Sequence, residues 1–110
     1  MRKLRSVEDM VGVIENIYEE TFGGKERGRY KVSRANFRML SGRKRLEGAF
    51  IQQVIGDALE EGFIVTDLGD YFAIVKESVM LNYRPVPKST IQKFALGEQL
   101  RSSQTDEEED

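Results

Sequence analysis

At Gly62 the hydrophobic period of this chain changes. Before it, apolar residues recur at helical spacing; after it, Phe63-Ile64-Val65-Thr66 and Tyr71-Phe72-Ala73-Ile74-Val75 are β-branched and aromatic runs. Asp67-Leu68-Gly69-Asp70 between the runs has turn chemistry, so the segment predicts a hairpin with Phe63, Ile64, Phe72 and Ile74 in the core. Helices followed by a hairpin within 110 residues leave room for one core, and the expected class is α+β.

Three helices are predicted upstream. Ser6 opens Ser-Val-Glu-Asp, an N-cap with acids in the first turn, and Val7, Met10, Val11, Ile14, Ile17 and Tyr18 follow at helical spacing until a stop near Phe22 at Gly23-Gly24. Lys25 to Arg29 reads as a polar loop and Tyr30-Lys31-Val32 as a short strand. Ser33 is the next N-cap, for a short helix that turns Phe37 and Leu40 inwards and leaves Arg34 and Arg38 on one outer face. Ser41-Gly42 breaks that helix and Arg43-Lys44-Arg45 makes the corner. The third helix, Leu46 to Glu61, carries Phe50, Ile51, Val54, Ile55, Ala58 and Leu59 on one stripe and Glu47, Gln52, Gln53, Asp57, Glu60 and Glu61 on the other face.

Past the hairpin, Ser78 to Lys88 contains Pro85 and Pro87 and reads as an extended connector. Ser89-Thr90-Ile91-Gln92 has the pattern of a capping box, predicting a last helix from Thr90 to about Arg101 with Ile91, Phe94, Ala95 and Leu100 on one side. Gly97 weakens it by roughly 1 kcal/mol relative to alanine. From Ser102 onward the chain has almost nothing to bury and is expected to be disordered. The expected organisation is a domain over residues 1–78, a connector over 79–88, a helix over 89–101 and an acidic tail over 102–110.

The chain contains no cysteine and no histidine, which removes disulfides, thiol nucleophiles, thiolate metal sites and the commonest general base. No Ser-His-Asp triad, Cys-His pair or zinc finger is possible within it, so an enzyme is not expected and no cofactor is implied. Gly23-Gly24-Lys25 lacks the spacing of a phosphate loop and follows a helix where such a loop follows a strand. No run approaches the roughly 20 apolar residues that cross a bilayer, and Met1-Arg2-Lys3-Leu4-Arg5 leads into charged sequence, so the expectation is a cytosolic (cytoplasmic) protein with no membrane partner.

Charge is unevenly distributed. The net charge of −2 includes five acids at the end, Asp106 to Asp110, whereas Lys25 to Arg45 holds nine basic residues against the single acid Glu26. These bases converge on the corner between the second and third helices. The order helix, short strand, helix, helix, hairpin, with that basic corner, resembles the winged helix-turn-helix domain over about two thirds of the chain.

The resemblance implies that the third helix is a recognition helix and the hairpin a wing. Arg43, Lys44, Arg45, Gln52 and Gln53 then face base edges, where arginine pairs with guanine and glutamine with adenine. Arg29, Lys31, Ser33, Arg34 and Arg38 then contact phosphates. Two features depart from the pattern: the wing tip, Asp67 to Asp70, is short and acidic, and so is the end of the third helix. The expected function is a small double-stranded-DNA-binding protein, a sequence-specific transcriptional regulator or a plasmid or phage accessory factor. It is expected to act as a homodimer through its last helix, the other use of that helix being an internal brace.

Plainer readings stand beside these. The basic segment is a solvated surface if Glu8, Asp9, Glu15, Glu19 and Glu20 of the first helix balance it. The terminal acids serve solubility, or they fold back on the basic corner as a phosphate mimic. The alternative function is a winged-helix protein-interaction adaptor without DNA binding, its basic corner docking an acidic partner.

Overall fold

The computed structural model describes residues 3–97. Ser6 starts the first helix as its sequence predicts: its hydroxyl accepts from the Asp9 N–H at 3.0 Å, and the Asp9 carboxylate accepts from the Ser6 N–H at 3.1 Å. This capping box satisfies donors that a helix start leaves without intrahelical partners. Helix α1 (Val7–Tyr18) buries Met10, Val11, Ile14 and Tyr18. It ends short of Phe22, because Gly23 and Gly24, at φ 59° and 79°, form a tight reversal of their own that pairs Phe22 with Lys25. Positive φ at both central residues is the geometry a mirror-image turn needs and glycine supplies.

Strand β1 (Tyr30–Ser33) runs directly into helix α2 (Arg34–Ser41), whose N-cap Ser33 accepts from the Asn36 N–H at 3.0 Å. Gly42 ends α2 in the left-handed conformation, φ 75°. Helix α3 (Gly48–Glu60) begins at Gly48, beyond the expected Leu46, which instead packs partly buried against the core from within the turn. Phe50, Ile51, Val54 and Ala58 form the buried stripe of α3, and Leu59 lies outside it, exposed.

Strands β2 (Phe63–Asp67) and β3 (Tyr71–Lys76) form the hairpin, and β1 joins them in an antiparallel sheet of order β1-β3-β2. The register sets Val32 opposite Phe72 and Val65 opposite Ile74. Alternation sends Phe63 and Val65 into the core and leaves Ile64, expected inside, half-buried on the other face. Helix α1 packs on α3, α3 on β2, and α2 on β1 and β3; the Phe37 and Phe72 rings stack at 4.3 Å between centroids.

The connector expected over 79–88 opens on a single helical turn, α4 (Glu77–Met80), and extends only beyond it. The last helix, α5 (Lys88–Phe94), starts before the expected Thr90: Pro87 is its N-cap, and the cap carries no side-chain hydrogen bond, so the Ser89–Gln92 capping box does not mark its start. It ends ahead of Gly97 and buries none of its residues. The expected continuation to Arg101, Leu100 with it, and the tail from Ser102 lie outside the described residues. The structure is thus α+β, with five helices and a three-stranded antiparallel sheet among the described residues. None of these helices is long and apolar enough to cross a membrane.

Candidate nucleic-acid interface

The candidates fall in three places. Lys31 and Ser33 are exposed along β1 and Arg29 just before it, while strand alternation turns Tyr30 and Val32 inwards. Tyr30 donates its hydroxyl to the Ile14 carbonyl at 3.0 Å, and burial, with the Tyr18 phenol beside it, raises its pKa well above the usual range. Its neighbour Lys31 sits with Nζ 5.1 Å from the centre of the Tyr71 ring.

Arg34 opens α2 beneath the hairpin tip. Its backbone N–H donates to the Asp70 carbonyl at 2.8 Å, and its guanidinium donates to the Asp67 carboxylate and the Gly69 carbonyl, both at 2.9 Å. The guanidinium carbon also lies 5.2 Å from the Phe72 ring centre. Asp67 is held below the ordinary carboxylate range, first by the Gly69 N–H and then by Arg34. The acidic tip is thus partly neutralised and strapped to the start of α2. Arg34 serves the strap.

At the other end of α2, on the order of 12 Å along its axis, the corner divides its bases by role. Arg38 donates to the Arg43 carbonyl at 3.1 Å. Arg43 stacks on the Phe50 ring, 3.8 Å from its centre, and donates to the Arg5 carbonyl at 2.8 Å; its Nε is buried without a hydrogen-bond partner. A guanidinium so held belongs to the fold and is not free to read a base. Lys44 and Arg45, by contrast, are exposed on the turn. Ser41, fully buried, ties the corner together: its hydroxyl donates to the Arg38 carbonyl at 2.6 Å and accepts from the Arg43 N–H at 3.2 Å.

Gln52 and Gln53 are exposed on α3 with Gly48, Ala49 and Gly56, a face carrying no charged side chain over its first two turns. The same helix ends in exposed Asp57 and Glu60. Only its beginning is suited to an anionic surface.

The sequence does not reveal the part played by the irregular segment Lys3–Arg5. Arg5 donates its N–H to the Ser41 carbonyl at 2.9 Å and its guanidinium to the Leu40 carbonyl at 2.8 Å, which lays Lys3 against Gly42 and adds two bases to the corner. The basic run Lys3 to Arg5 was the available signal; nothing local shows that it folds back on a turn so far along the chain. Of the acids expected to balance the basic segment, Glu19, at the C-cap of α1, pairs with Arg27 at 3.0 Å, and Arg34 pairs with Asp67 of the hairpin at 2.9 Å. Comparison with known proteins finds no family model, no curated protein and no solved structure that matches this chain.

Proposed function

We propose that this chain is a small winged helix-turn-helix protein that binds double-stranded DNA, with the turn between α2 and α3 against the phosphates and the start of α3 in the major groove. The observation that carries the reading is the exposure of Lys44 and Arg45 ahead of a helix whose outer face, Gly48, Ala49, Gln52, Gln53 and Gly56, is uncharged. Such a face approaches base edges closely, and the adjacent cations neutralise phosphate. Lys3, Arg29 and Lys31 extend the basic surface, whereas Arg34 and Arg43 act by holding the wing tip and the corner. A regulator or accessory factor acting on DNA fits this arrangement, and no catalytic step is invoked.

Anisotropy titration of a labelled random duplex over a range of salt tests it. Binding should weaken with salt at a slope of several phosphates, and Lys44→Ala with Arg45→Ala should reduce that slope by about 2, each phosphate contact contributing about 0.9. Absence of binding at low salt overturns the reading and leaves the protein-interaction adaptor, which the acidic second half of α3 favours.

A further inference from the structure

The segment that leaves the domain after α4 is apolar and uncovered. Leu81, Tyr83, Val86, Ile91, Phe94 and Leu96 are all exposed, Phe94 at 76%. So many large apolar side chains exposed along one short stretch mark an interaction surface more often than a bare one. The same stretch carries Arg84, Lys88 and Lys93 and contains no acid from Ser78 to Gly97. Pro85 and Pro87 hold its middle extended, which favours reach away from its own domain.

A groove of opposite charge lies between α1 and the end of α3. Glu8, Glu15, Asp57, Glu60 and Glu61 line its walls, about 480 Å³ of space, with no base among the lining residues. Val11 and Gly12 also line it, giving it a small apolar patch. Gly12 is mid-helix at ordinary φ, and a Cβ there would meet nothing within 4 Å. Glycine costs a helix stability relative to alanine, and no contact among the described residues requires it at this position.

We infer that the basic, apolar arm from Leu81 to Leu96 docks into the acid-lined α1–α3 groove of a second copy of this chain. Arg84 and Lys93 meet the groove carboxylates, and arm side chains enter over Gly12. Exchange in both directions gives a closed two-fold dimer in which each copy supplies one arm and one groove. The groove lies at the far end of α3 from Lys44 and Arg45, so both basic corners stay open. The inference stands apart from the DNA reading, because it is read in oligomeric state without nucleic acid.

Sedimentation velocity of the full chain at tens of micromolar tests it with two charge-reversed proteins. One carries Glu60→Lys and Glu61→Lys in the groove; the other carries Arg84→Glu and Lys93→Glu in the arm. All four positions are exposed, so both variants should keep the wild-type circular dichroism. Wild type is expected to be dimeric, each variant alone at least tenfold weaker in self-association, and an equimolar mixture of the two more dimeric than either alone, because a mixed pair holds one unaltered basic arm in one unaltered acidic groove. Gly12→Leu, which fills the notch, should also weaken the dimer. A monomeric wild type overturns the inference. So does a dimer that survives groove reversal, or a mixture that stays monomeric.

Discussion

An arginine held between a phenylalanine ring and a carbonyl oxygen behaves as part of the core. Replacing Arg43 by alanine removes the stack on Phe50 and the bond to the Arg5 carbonyl, an expected loss of about 2 kcal/mol, on the order of 10 °C in Tm for a domain of this size. Lys44→Ala and Arg45→Ala, at exposed positions, should stay within about 0.5 kcal/mol of wild type in the same thermal melt while weakening duplex binding. Gly42 is the other sensitive residue of the corner. Its φ of 75° suits glycine, and a Cβ there collides with the Lys3 carbonyl, a backbone atom held by the bonds of Arg5. Gly42→Ala is therefore expected to cost roughly 1–3 kcal/mol, and chemical denaturation should show it as a lower midpoint. Sequence alone told these neighbours apart poorly. Arg43 and Arg45 have the same side chain and nearly the same local context, and what separates them is a carbonyl at Arg5 and a ring at Phe50.

The hairpin behaves as a strapped element. With Asp67 held below its ordinary value, its contribution to folding is present above the unfolded carboxylate value near 4 and is lost as pH falls through the lower folded value. An acid titration followed by the Gly69 amide signal should give a midpoint below that of a free aspartate, because this N–H donates to Asp67 Oδ1 at 3.0 Å; Arg34→Ala should move the midpoint up. The exposure of the pair keeps the effect small, and Asp67→Asn should cost about 0.5–1 kcal/mol at neutral pH. Element starts fixed by local bonds were legible in the sequence: Ser6 and Ser33 each cap a helix through a residue three positions on. Starts and stops fixed by remoter causes were not. Helix α3 starts only at Gly48, with Leu46 packed against the core from within the turn. The inward set of β2 was misread at Ile64, since a continuous apolar run does not reveal its phase.

At the scale of the whole molecule, the buried cluster ends at Ile74 and takes in no residue of the arm. Helix α5 buries no residue, so removing residues 88–110 should change Tm by no more than a couple of degrees, measured by calorimetry at a concentration too low for self-association. The interior is one cluster running from Met10 to Ile74, and the basic corner sits at its edge, positioned by α2, the turn and the folded-back Lys3–Arg5 segment. The candidate site was therefore legible as a charge cluster, while its division into exposed and structural arginines required the packed molecule.

Strand order has a consequence for biosynthesis. Strand β3 lies between β1 and β2 yet is the last of the three in the chain, so β1 has no partner until Tyr71–Lys76 have been made. At the pace of a ribosome that interval lasts roughly a few seconds, during which Val32 and Phe37 wait without the Phe72 ring that covers them. A nascent chain tethered by its C-terminus should therefore acquire its structure in a single late step, once Lys76 clears the exit tunnel, and stay sensitive to proteases until then.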